Sequence, residues 1–154
     1  MAGESTGMVG RRGGALRRHG QNRKKWFIAV AIAVPVVLGL YILLKPYLRL
    51  RQAKQDVDVL ALALTGFAQE HQRYPQGTPA HIAALLRGEN VAGQNPKKLD
   101  YIEAGSHEIN AAGEFIDPWG TPYRISTDPA VRVYSCGPNR LDEQGSGDDI
   151  ASWR

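Results

Sequence analysis

Trp26 to Leu44, WFIAVAIAVPVVLGLYILL, is a run of nineteen residues without a charged side chain. As a helix rising about 1.5 Å per residue it is about 28 Å long, close to the roughly 30 Å of a bilayer's hydrocarbon core. It is apolar on every face, whereas a helix on the surface of a water-soluble core keeps a polar stripe. The run therefore predicts a membrane-spanning helix. Pro35 and Gly39 are tolerated in such helices, and Trp26 and Tyr41 lie toward its two ends, where amphipathic rings favour the interface.

The flanks predict the orientation. Arg11, Arg12, Arg17, Arg18, Arg23, Lys24 and Lys25 precede the run within fifteen residues, and Lys45, Arg49, Arg51 and Lys54 follow it within ten. The heavier N-terminal side predicts a cytoplasmic N-terminus and an exported C-terminal part. Residues 1–25, basic and Gly-rich, are expected to be a disordered tail. This tail holds the basic surplus behind the net charge of +4, because the remaining residues carry twelve bases and fourteen acids. The surplus therefore does not mark a folded nucleic-acid-binding domain. The tail has the charge to hold anionic lipid or nucleic acid on the cytoplasmic face, although topology signalling accounts for the same charges. A cleaved secretory signal competes for the same segment, since Ala29-Val30-Ala31 and Ala31-Ile32-Ala33 resemble a small-residue cleavage box. Cutting there would leave an apolar core of at most about eight residues behind a long basic region, which disfavours it.

Beyond Pro46, the positions Val57, Leu60, Leu64, Phe67 and His71 advance by three and four residues, the spacing of one helical face. A helix over about 47–72 is expected, with Pro46 a candidate kink and Tyr74-Pro75 its stop. Thr78 as N-cap, Pro79 at the first helical position and Gly88 after the last turn predict a short second helix. From Leu99 onward the pattern turns to strands. Tyr123–Ile125 and Val131–Tyr134, flanking Thr127-Asp128-Pro129-Ala130, predict an antiparallel hairpin; Leu99–Ile102 and Ile109–Phe115 are weaker strand candidates. The expected class is α+β: a long helix packed on a small antiparallel sheet. The resulting organisation is a tail at 1–25, a span at 26–44 and an exported domain at 45–154. At 154 residues the chain is too short for an eight-fold α/β barrel or a two-domain dinucleotide enzyme.

Asp142, Glu143, Asp148 and Asp149 place four carboxylates within eight residues around Gly145-Ser146-Gly147. Such crowding repels unless a cation intervenes, and calcium accepts six to eight oxygens in flexible geometry. The spacing is not that of an EF-hand. The alternative is a solvated acidic turn anchored by Ile150 and Trp153 alone. Asp117-Pro118-Trp119-Gly120-Thr121-Pro122-Tyr123 is a second compact motif. Its Asp117 is suited to accept turn donors, Pro118 fixes φ, Gly120 allows a left-handed residue, and Trp119 and Tyr123 are suited to cover the core. An interface between neighbouring subunits is the other reading of that motif.

Four features together resemble the type IV pilin-like proteins, and most closely the major pseudopilins of type II secretion systems. They are the apolar helix running into an amphipathic one that ends at Arg73-Tyr74-Pro75; the motif Phe115-Ile116-Asp117-Pro118-Trp119-Gly120-Thr121-Pro122-Tyr123; the run Val133-Tyr134-Ser135 with Gly137; and the loop Asp142–Ile150 followed by Trp153. The resemblance covers about residues 26–153. It implies a pilin-like fold and a structural subunit of a secretion or pilus-like machine supporting protein export. It further implies a single pass through the bacterial inner membrane, a periplasmic domain, and pilin-like subunits or machine components as partners, with homo-oligomers among them and no specific nucleic acid. It also implies a calcium site with Asp142, Asp148 and Asp149 as ligands and carbonyls drawn from Ser135, Leu141 or Ile150.

The chain departs from the family at its N-terminal side. The family has a short basic leader, a Gly cleavage site, a Phe, and a Glu five residues into the mature chain; here Trp26 precedes Phe27 and no acid falls within 26–44. A tethered, non-cleaved, calcium-stabilised scaffold module that does not polymerise is the alternative this departure supports.

No enzyme is expected. The chain lacks a Gly-x-Ser-x-Gly elbow, a His-Glu-x-x-His motif, a phosphate loop and a Cys-x-x-Cys pair. Cys136 with His71, His81 or His107 could in principle make a thiol hydrolase, but a lone Cys on a strand between Ser135 and Gly137 reads rather as a small buried residue; the histidines have no zinc spacing, and His71 reads as the polar edge of the helical face.

Overall fold

A computed structural model gives the backbone of residues 15–103 and 105–154, and their side chains except at 15–25 and 28. The chain divides into two units, Met1–Leu44 and Lys45–Arg154. Helix α1 runs Ala15–His71 and α2 Pro79–Leu86, and strands β1 (Arg124–Ser126), β2 (Arg132–Ser135) and β3 (Ile150–Ala151) form an antiparallel sheet in the order β1-β2-β3. The class is α+β.

In the first unit α1 carries an exposed apolar stretch, and the helix is long and apolar enough to cross a membrane. Trp26, Phe27, Leu40 and Leu43 are all exposed. The helix begins at Ala15, inside the segment expected to be disordered. Leu, Arg, Lys and Gln there are good helix formers, and extending an existing helix avoids the cost of nucleation. The rest of the expected tail, residues 1–14, lies outside the described residues.

In the second unit Ala53, Val57, Leu60, Leu64 and Phe67 of α1 are fully buried, one residue every three or four positions. Val57, Leu60, Leu64 and Phe67 meet Ile82, Ala83, Leu85 and Leu86 of α2, together with Ile102, Phe115, Tyr123 and Val133. The helical pattern continues through Pro46 and stops at His71, whose Nε2 lies 3.1 Å from the Tyr101 hydroxyl and whose ring rests on Phe67. Helix α2 starts where its cap dictates: the Thr78 hydroxyl accepts from the His81 N–H at 3.3 Å and Pro79 occupies the first turn. Gly88, at φ +86, leaves room for the Asp100 carboxylate, which a Cβ there would strike.

The hairpin forms in the register Arg124↔Tyr134, Ile125↔Val133 and Ser126↔Arg132. Leu99–Ile102 and Ile109–Phe115, expected as weak strands, give only isolated bridges, Arg87↔Asp100 and Ile109↔Phe115. Neither run finds a partner long enough to extend a ladder.

Polar ties join α1 to the other elements. The Tyr123 hydroxyl donates to Asp56 Oδ2 at 2.8 Å, and His107 Nε2, buried and without a hydrogen-bond partner, lies 3.7 Å from Asp56 Oδ1. Burial pushes the Asp56 carboxyl up, against the pull of the Tyr123 hydroxyl and His107, and burial likewise raises the Tyr123 phenol. Lys54 Nζ donates to the carbonyls of Ala151 at 3.0 Å and Arg154 at 2.9 Å, fastening the last strand to α1. Truncating the core's central ring is the direct test of this packing: Phe67→Ala is expected to cost about 3–5 kcal/mol, read by denaturant unfolding of the full chain.

Candidate metal centre

The acidic loop follows β2, and its course is set by short-range turns. The Ser146 N–H and hydroxyl both donate to the Glu143 carbonyl, and the Asp149 N–H donates to Ser146 O at 2.9 Å. These reversals bring one carboxylate oxygen each from Glu143, Asp148 and Asp149 to within 4.8 Å of one another. Gly147, at φ +53, is required for this, because a Cβ there would occupy the space of the Glu143 carboxylate. The indole of Trp153 lies against Gly145 in the same way.

The three acids differ in how they are held. Asp149 is 6% exposed, and its Oδ2 accepts from the N–H groups of Gly145 at 2.7 Å and Glu143 at 3.1 Å. Its Oδ1 is buried with no hydrogen-bond partner. Asp148 Oδ2 accepts from the Asn139 N–H at 3.1 Å, and Glu143 Oε2 accepts from the Asp148 N–H at 3.1 Å and from Asn139 Nδ2 at 3.3 Å. A buried carboxylate oxygen without a donor is costly, and two more carboxylates beside it add repulsion; a hard cation relieves both. This donor set, oxygen only and punctuated by glycine, fits calcium or a similar ion and lacks the nitrogen and sulfur that zinc favours.

Among the carboxylates expected as ligands, one position is redrawn. Asp148 and Asp149 lie in the cluster, but Asp142 does not, because its carboxylate accepts from Arg124 Nε at 3.0 Å, the Tyr134 hydroxyl at 2.8 Å and the Gln144 N–H at 3.1 Å. The hairpin's own cation and phenol hold it, and Glu143 takes the third place. Ser135 is buried, its hydroxyl donating to Asp117 Oδ2 and accepting from the Gly137 N–H. Leu141 is 64% exposed, and Ile150 pairs with Ser135 between β2 and β3. The four carboxylates were visible in the sequence, but only the paired glycines at 145 and 147 hinted that Glu143 folds back over the loop.

The Asp117–Tyr123 motif is a closed turn, with Ile116 bridged to Pro122. Asp117 Oδ1 accepts from the N–H groups of Trp119 at 3.0 Å and Thr121 at 2.8 Å, Gly120 takes φ +84, Pro118 and Pro122 flank the tip, and Tyr123 is buried. Trp119 is half-buried. Cys136 is buried and burial pushes its thiol up, away from the reactive thiolate.

The Tyr134 hydroxyl foremost, then the Gln144 N–H and the Arg124 guanidinium, hold the Asp142 carboxyl below its ordinary range, while the Tyr134 phenol is pushed up to about 12. A carboxyl depressed by folding stabilises the fold above its unfolded pKa and loses that contribution as pH falls through the lower folded value. Asp142→Asn is therefore expected to lower the melting temperature at neutral pH and to narrow its gap to the unchanged protein on acidification below about pH 4, as followed by thermal melts.

No family model matches the chain, and neither a curated protein nor a solved structure matches it.

Proposed function

We propose that this chain is a membrane-anchored, pilin-like structural subunit, similar to the major pseudopilins, that serves a type II secretion or type IV pilus-like machine. The observation that carries the reading is that one helix, α1, supplies both an apolar span and the core face of an α+β unit. In this reading Trp26–Leu44 crosses the bacterial inner membrane with residues 1–25 in the cytoplasm and 45–154 in the periplasm, and the chain works by packing against other pilin-like subunits or machine components.

Calcium belongs to the same reading. Glu143, Asp148 and Asp149 would hold the ion, with Asp149 Oδ1 as the buried ligand, and the ion would supply the positive charge that offsets their repulsion. Asn139 orients Asp148 and Glu143, while the Gly145 and Glu143 N–H groups fix Asp149. Because ion binding requires the folded loop, its free energy adds to folding.

In EDTA-stripped full-length protein, about 1 mM calcium is expected to raise the melting temperature by about 5 °C, a typical linkage shift for a domain near this size. Asp149→Asn and Glu143→Gln should abolish the rise while Asp142→Asn keeps it. An unchanged melting temperature on adding calcium would remove the ion from the account.

A second reading, a tethered scaffold module that does not polymerise, is favoured by the absence of any acid in 26–44 and by Trp26 in front of Phe27. Intact mass from native membranes separates the two. Loss of a leader ending near Lys25 or Trp26 is the outcome for a processed filament subunit; a mass of 16.9 kDa, less at most the initiator Met, is the outcome for the tethered module.

A further inference from the structure

From Ser5 to Gln55 the chain carries eleven Lys/Arg and no Asp/Glu. The bases before the apolar run have an ordinary explanation in topology signalling. Those after it do not, because they lie on the opposite side of the span. Lys45 and Arg51 are exposed and Arg49 is half-buried, and none of the three enters an ion pair among the described residues. The nearest acids in sequence are already engaged: Asp58 by Lys54 at 3.1 Å and Asp56 by the Tyr123 hydroxyl.

We infer that Lys45, Arg49 and Arg51 form a collar that binds the phosphate headgroups of anionic phospholipid in the leaflet nearest the folded unit. The inference rests on Trp26–Leu44 being a span. Lys45 directly follows that segment, and at about 1.5 Å per residue Arg49 and Arg51 lie about 6 and 9 Å further along the helix, a depth comparable to the headgroup layer. Exposed Tyr47 falls in the same stretch, suited to an interfacial ring. Like charges at Lys45 and Arg49, four residues apart on one helix, repel each other unless an anion lies between them. The collar also has a reason in the rest of the unit: residues 56–154 carry fourteen acids against eight bases, so without these three cations the unit would be repelled by an anionic surface.

The test uses the full-length protein in phosphatidylcholine bilayers with spin-labelled phosphatidylglycerol or phosphatidylcholine, reading the motionally restricted fraction of each. The unchanged protein should select phosphatidylglycerol by about fivefold or more, a selectivity that weakens at high salt. The K45Q/R49Q/R51Q variant should lose most of it, and the charge-matched R73Q/K98Q/R140Q variant should retain it. Equal selectivity in the collar variant and the unchanged protein overturns the inference, as does equal loss in the charge-matched control. Alkaline extraction of the same vesicles separates the two levels: protein released by alkali fails the membrane anchor and the collar with it, whereas protein that stays embedded without selectivity fails the collar alone.

Discussion

The face formed by Val57, Leu60, Leu64 and Phe67 is the constraint on which the folded unit depends. Each of the four is fully buried, and they recur at helical spacing. Helix α2, the residues around Phe115 and Tyr123, and the central strand through Val133 all bury their apolar side chains against this face or against one another. The sheet is small, with strands of three, four and two residues. A sheet of that size has little stability of its own and needs a helix to cover it. Earlier in its course the same helix carries an exposed apolar stretch, long and apolar enough to cross a membrane, so its two parts differ in what covers them.

Polar chemistry then fixes what apolar burial leaves loose. Asp56 takes the Tyr123 hydroxyl, Asp117 closes its turn and receives the Ser135 hydroxyl, and Lys54 reaches the backbone of Ala151 and Arg154. Apart from the turn bonds of Asp117, these ties join segments distant in sequence, and the Asp117 and Ser135 side chains are buried. Groups of this kind cost more to leave unpaired than they return when paired, so they specify one arrangement of turn, strand and helix. Asp149 breaks the pattern, because one of its oxygens is satisfied twice by loop N–H groups while the other has no partner.

How much could be read in advance follows from the range of each signal. Helix α2 was legible because Thr78, Pro79 and Gly88 act within a few residues of where they stand, and the hairpin was legible because its turn residues sit between two β-rich runs. The core face of α1 was legible through its period. Strand β3 was not, since Ile150-Ala151 acquires strand character only by pairing with Tyr134 and Ser135 across the acidic loop. The division of labour among the four carboxylates was hidden for the same reason: Asp142 is drawn off by Arg124, eighteen residues away, and by Tyr134, neither of which is adjacent in sequence. The helical start at Ala15 was masked by the glycine and charge content of the surrounding segment, although the residues after Gly14 favour a helix.

The separation of Asp142 from Glu143, Asp148 and Asp149 gives the acidic loop two independent means of fixation. On one side Asp142 is neutralised by the hairpin, through a guanidinium on β1 and a phenol on β2, so this attachment needs no ion. On the other, Trp153 lies against Gly145, with its ring 5.9 Å from that of Tyr134 and under the Arg132 guanidinium at 5.4 Å. The loop is thus held at Asp142 by side chains of the sheet and at Gly145 by Trp153, while Glu143, Asp148 and Asp149 come together and Asp149 Oδ1 is left buried without a donor. A loop built only for the surface would point its acids outward, where water screens them at little cost. Here Gly145 and Gly147, both at positive φ, let the backbone turn three carboxylates toward one another, a group that could hold a cation.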